Sequence, residues 1–198
     1  MGIPEGAPGA TEPAYSESRS SILFAWALVR PDRIRSSAAI TRSRPMPSRA
    51  RRIALRAAEL FTCVQSLDRP SLAEALEKAA RARGLRLDVL LEVNTGDEET
   101  KSGTSAEGAV ALAARMPEWP SLRLRGLMAI PPWSEDPEAT RPYFVRLREL
   151  RDRLSRESGT ALRELSMGMS NDFEAAIEEG ATMVRVGTAI FGSRQERG

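Results

Sequence analysis

Two short segments carry the residues best suited to hold an anion. They are Leu165-Ser166-Met167-Gly168-Met169-Ser170 and Met183-Val184-Arg185-Val186-Gly187-Thr188. Ser166 and Thr188 offer hydroxyls. Gly187 lets successive backbone N–H groups approach an anion closely. Arg185 supplies a fixed positive charge that can hold a planar partner in its own plane. Each residue also has a plainer role open to it: helix capping or turn duty for Ser166 and Ser170, a simple turn for Gly187, an ion pair for Arg185. No single residue is specific, but two anion-ready loops close together are more so. Other chemistries are excluded. The chain has no histidine, which removes Ser-His-Asp and Cys-His nucleophile systems and histidine metal sites. General acid–base work would fall to carboxylates, Tyr15, Tyr143 or a lysine. The one cysteine, Cys63, lies in the apolar run Leu60-Phe61-Thr62-Cys63-Val64 and reads as a small buried hydrophobe.

These two segments close a regular alternation. An apolar run from Leu60 to Leu67 suits a strand. Pro70-Ser71 then opens a helix, with Ser71 and Glu74 as a capping box, Leu72, Ala75, Leu76 and Ala79 on one face, and Gly84 as the stop. Leu87 to Val93 is a buried strand. A second capping box, Thr104 and Glu107, opens a helix to about Arg115, and Leu122 to Ile130 is the third strand. Asp136-Pro137 gives an N-cap and a proline for the next helix, whose buried stripe is Phe144, Leu147, Leu150 and Leu154. Leu162 to Met167 is the fourth strand. Ser170 caps a short helix with Phe173, Ala176 and Ile177 inward, and Thr182 to Val186 is the fifth strand. Strict alternation predicts a parallel sheet, which an open doubly wound sheet and a (β/α)8 barrel both satisfy. In either, ligands bind at the C-terminal ends of the strands, and barrels often hold a phosphate between the last two loops.

The first 50 residues read differently. Ala, Arg, Ser and Pro fill 29 of them, and no helical or strand period persists. The expectation is a disordered tail or a stretch translated out of frame, followed by an ordered domain over residues 51–198. A barrel of ~250 residues spends about 31 on each unit, so the text after position 60 holds only its last five strands. The formal net charge of +2 gives no case for nucleic-acid binding. The apolar run Ile22 to Val29 is short of a membrane span, and acidic residues precede it where a signal peptide needs basic ones. A cytoplasmic protein is expected.

The run from Leu165 to Gly192 resembles the C-terminal signature of the YggS/PROSC family of pyridoxal phosphate (PLP) homeostasis proteins. Support comes from Val64-Gln65-Ser66-Leu67-Asp68, from Val93-Asn94-Thr95-Gly96 through Lys101-Ser102-Gly103, and from Gly126-Leu127-Met128-Ala129-Ile130-Pro131. The likeness covers about residues 51–198. It implies an α/β fold, a partial PLP-binding (β/α)8 barrel of the alanine racemase N-terminal kind, reduced to its last five strands behind an unrelated N-terminal tail. It implies that Ser166, Gly187 and Thr188 hold the cofactor phosphate. Arg185 would face the pyridine nitrogen, keeping it unprotonated and weakening the ring as an electron sink. Family members are described as carriers of PLP without established turnover. Lys101 falls near an arginine position of related racemases, or is a solvated loop lysine.

The resemblance also sets a departure. The family begins with a strand ending in Val-Ser-Lys, whose lysine is the imine-forming one, and no lysine precedes Lys78 here. The expectation is a truncated or impaired PLP-binding protein that is not an enzyme and has no metal site. A racemase-like enzyme fragment and a non-functional remnant remain as alternatives.

Overall fold

The computed structural model describes residues 56–96 and 102–192, together with two two-residue strands, β1 (Leu23–Phe24) and β2 (Ala39–Ile40), paired antiparallel. The expected division near residue 50, and Lys101, lie outside the described residues.

The described residues from 56 onward open with a helical segment over 56–60 (α1), which takes Leu60 out of the strand expected from Leu60 to Leu67. Leu60 closes that helix, and the strand is confined to β3 (Cys63–Leu67). Alternation then runs as the sequence predicts: α2 (Pro70–Arg81), β4 (Leu87–Glu92), α3 (Ala106–Ala114), β5 (Leu122–Met128), α4 (Arg141–Ser158), β6 (Glu164–Met169), α5 (Phe173–Glu178), β7 (Met183–Arg185) and α6 (Thr188–Phe191). The two expected capping boxes do not form. Pro70 occupies the first helical turn, so Arg69 is the N-cap of α2, without a side-chain cap bond, and Ser71 lies inside the helix. In α3 the cap is Ser105, one residue later than Thr104, and its hydroxyl accepts from Gly108 N at 3.1 Å. Asp136 does cap the 3-10 turn Pro137–Thr140 ahead of α4, accepting from Glu138 N.

The sheet is fully parallel in the order β3-β4-β5-β6-β7, each strand beside its sequence neighbour. A doubly wound sheet reverses direction at a switch point; this one does not. Val64, Val89, Leu91, Leu127, Leu165 and Met167 face the helices, where Leu72, Leu76, Leu112, Phe144, Leu147 and Leu154 meet them in the main core. The alternate residues Cys63, Leu90 and Met128, with Met183, form a second cluster on the opposite face. That face is concave. Gln65 of the first strand in the sheet reaches Met183 of the last, Nε2 to Sδ at 3.4 Å, which only strong curling allows. The architecture is a five-stranded half-barrel with its helices outside.

One glycine sets how closely two strands approach. Gly126 of β5 pairs with Glu164 of β6, and a Cβ at Gly126 would lie 1.8 Å from the Glu164 carbonyl oxygen. The α4 stripe is buried as its spacing predicts: Phe144, Leu147, Leu150 and Leu154, each side chain contributing about 1.5–3 kcal/mol through burial. Ile177 departs from expectation. It is 53% exposed, because Ala175 and Ala176 make the inward contact of the six-residue α5.

Candidate functional site

The C-terminal ends of β6 and β7 bring the two anion-ready segments together. In β6, Leu165 and Met167 point to the helix layer, so Ser166 between them points into the concave face. It is fully buried there. Its hydroxyl donates to Gln65 Oε1 at 2.7 Å and accepts from Arg185 Nη1 at 2.6 Å. Arg185 also donates from Nη2 to the Ala129 carbonyl at 2.8 Å. One guanidinium thereby ties β7 to β6 and to the end of β5, and through Ser166 to β3. Burial pulls the Arg185 pKa down to about 10, while the carboxylates of Glu92 and Asp172 pull the other way. Arg185 therefore keeps its charge at neutral pH.

Beyond Ser166 the chain turns sharply. Gly168 has φ of +89°, and a Cβ there would meet Ala176 Cβ at 2.6 Å and Phe173 Cα at 3.1 Å. Only glycine lets β6 pass this close under α5. Asp172 Oδ1 accepts from Met169 N at 2.6 Å, and Asn171 Nδ2 donates to the Ser134 carbonyl at 2.8 Å, fixing the turn to itself and to the loop after β5. The turn delivers Ser170 to the other segment. Its hydroxyl accepts from Gly187 N at 3.0 Å and Ala189 N at 3.3 Å. Ser170 does not cap the helix after β6: the N-cap position of α5 is Asp172, which makes no side-chain cap bond and accepts from Met169 N instead. Two backbone N–H groups thus converge on one oxygen. Among the described residues, a Cβ built on Gly187 meets nothing within 4 Å, so none of them fills the space over this turn. Thr188 follows at the exposed rim.

The four expected site residues divide into two groups. Ser166 and Arg185 bond each other inside the concave face, while Gly187 and Thr188 form the loop beside it, joined to β6 by Ser170. Gln65, the Ala129 carbonyl and the Ala189 N–H complete the arrangement and carry no local sequence signal of that duty. Cys63 is buried on the concave face. Its thiol is pushed up to about 12 by desolvation and by the charges of Asp88 and Glu164. Lys78 is exposed on α2, outside the half-barrel.

The profile of the alanine racemase N-terminal domain family matches residues 28–195. The chain belongs to that family. A curated relative, the pyridoxal phosphate homeostasis protein of Aquifex aeolicus, is 54% identical over 132 residues, which are 67% of this chain and 58% of the relative. The protein of the same name from Pseudomonas aeruginosa is 48% identical over 137 residues, again 58% of its length. This family member therefore spans under two thirds of the curated relatives it matches. Among solved structures, PipY of Synechococcus elongatus, determined with pyridoxal phosphate bound, superposes with a TM-score of 0.66 at 32% identity, over 72% of this chain and 66% of that one. The likeness covers the racemase-type half-barrel described above.

Proposed function

We propose that the chain binds pyridoxal 5′-phosphate as a cofactor-handling protein of the homeostasis type, in the cytoplasm, without turning over a substrate. One observation carries this reading: two N–H groups converge on one oxygen in an open turn, two residues from a buried cation that stays charged at neutral pH. An N–H pair at an open glycine suits a dianionic phosphate. The relatives' names and the PipY complex point to the same ligand. The N–H groups of Gly187 and Ala189 would exchange the Ser170 oxygen for a phosphate oxygen, with the hydroxyls of Ser170 and Thr188 beside it. Arg185 would face the ring. Ser166, which the resemblance implies as a phosphate ligand, donates to Gln65 and accepts from the guanidinium in the ligand-free protein, so its part includes holding Arg185.

When bound, the cofactor would supply an aldehyde and a polarisable ring. The protein's part is to bind and orient it. A covalent bond to the aldehyde needs a lysine amine beside it, desolvated enough to lose its proton. Lys78 stands outside the half-barrel, and the sequence has one other lysine, Lys101. The reading is therefore a non-covalent, impaired carrier. Equilibrium dialysis against pyridoxal phosphate, then borohydride reduction and peptide mass spectrometry, tests it. Saturable binding with no pyridoxyl-lysine is expected. Absence of saturable binding refutes the carrier, and stoichiometric label on Lys101 refutes its non-covalent character.

A further inference from the structure

Gln65 is a buried polar residue near the site that neither the loop chemistry nor the proposed phosphate contacts use. It lies on β3, at the opposite side of the sheet from Arg185, and is 5% exposed. Its amide has a defined orientation. Nε2 faces Met183 Sδ at 3.4 Å, and a thioether can only accept, so Oε1 is the atom turned to Ser166. The Ser166 proton is then committed to Gln65 at 2.7 Å, which leaves its lone pair for Arg185 Nη1 at 2.6 Å. Reversing any one of the three donors breaks the chain. Arginine cannot accept, and a serine hydroxyl that loses its acceptor is free to rotate, so its lone pairs are no longer held toward the guanidinium.

We infer that Gln65 is a positioning residue for Arg185: across the half-barrel it fixes the Ser166 hydroxyl, and the hydroxyl fixes the guanidinium. The functional meaning of this chain rests on the cofactor-binding reading, but the chain itself is a property of the ligand-free protein. It makes a prediction that packing does not. Methionine matches glutamine in length and suits the apolar cluster of the concave face, to which the neighbouring Met183 belongs, yet offers no acceptor of comparable strength. Glutamate keeps the acceptor and adds a buried charge. If Gln65 only fills space, Gln65→Met is the benign change. If it positions Arg185, Gln65→Glu is the one that preserves the arginine.

The test measures the rate at which phenylglyoxal modifies Arg185 in the folded protein, resolved by peptide mass spectrometry, with a thermal melt confirming the fold of each variant. Gln65→Met is expected to speed modification roughly fivefold, the population change set by the net worth of one hydrogen bond. Gln65→Glu should match the parent or fall below it. Ser166→Ala should speed modification as much as Gln65→Met, and the double variant no more than Ser166→Ala alone, because both act through one chain. Equal rates in the parent and Gln65→Met, or additive effects in the double variant, overturn the inference. A second arm titrates pyridoxal phosphate and inorganic phosphate. Gln65→Met should weaken the first about fivefold and leave the second unchanged; equal weakening of both also counts against a role through Arg185. If the parent binds neither ligand, the carrier reading falls while the arginine rates still decide the inference.

Discussion

Replacing Gly168 by alanine tests how the site turn is built. The backbone there has φ of +89°, and the added Cβ would sit 2.6 Å from Ala176 Cβ and 3.1 Å from Phe173 Cα. Holding an L-residue in left-handed backbone costs about 1–2 kcal/mol. The contact cannot be relieved by rotating a side chain, because the atoms met are a Cβ and a Cα, so α5 must move outward. Overpacking of that kind costs about 1–3 kcal/mol, and the total loss is about 3 kcal/mol. Urea titration of Gly168→Ala against the parent measures it. Ala176→Gly removes one of the two opposing atoms, at about 1 kcal/mol for a glycine in a helix. The double variant should then lose about 1–2 kcal/mol less than the sum of the singles. Because α5 and the Ser170 turn move together, amide exchange at Gly187 and Ala189 should quicken in Gly168→Ala. Strictly additive losses, or a large loss with those two amides unchanged, would refute the reasoning.

Two further expectations concern the sheet. Gly126→Ala puts a Cβ 1.8 Å from the Glu164 carbonyl oxygen; backbone faces backbone there, so the β5–β6 pairing should fail, with insoluble protein or a loss above about 3 kcal/mol in urea. A mild loss would mean that the strands are farther apart than described. Cys63, whose thiol is held up to about 12 by burial and by Asp88 and Glu164 against Arg125, favours the protonated folded state. Its contribution is complete below pH 9 and is lost as pH rises from about 9 toward 12, at about 1.4 kcal/mol per unit. The urea midpoint of Cys63→Val, followed over the same range, should lack that slope. A native thiol that reacts at pH 8 as fast as in urea would sink the assignment.

The alternation of elements was legible because each strand and helix leaves a local period, as in the α4 stripe of Phe144, Leu147, Leu150 and Leu154. The barrel was not legible in the alternation, which doubly wound sheets share; only the resemblance of the run from Leu165 to Gly192 implied it. It is decided by the sequential strand order and by the reach of Gln65 to Met183. Local cap rules failed where neighbours intervened: Pro70 moves the cap of α2 back to Arg69, and Ser170 is drawn away from α5 by the N–H groups of Gly187 and Ala189. Spacing marks Ser170 as a capping serine because it reports only nearby N–H donors, whereas the donors it accepts from, Gly187 and Ala189, lie on the next strand-turn. Gln65 sits 101 positions from Ser166, and no periodicity links them. The types of Ser166, Arg185, Gly187 and Thr188 were suggestive in the sequence. Their division into a buried pair and an open turn depends on which face of β6 each side chain occupies.

The run of donors from Arg185 through Ser166 to Gln65 has an electrical consequence. A hydroxyl and an amide do not ionise, and the guanidinium titrates only near pH 10. With no histidine in the chain, the side chain that ordinarily changes charge between about pH 5 and 8 is missing. These three groups therefore present one constant field across that window. A phosphate monoester does not, because its second proton leaves near about pH 6. Any acidity dependence in what this wall of the half-barrel holds would then be written by the guest, whose own protonation sets how firmly it is gripped.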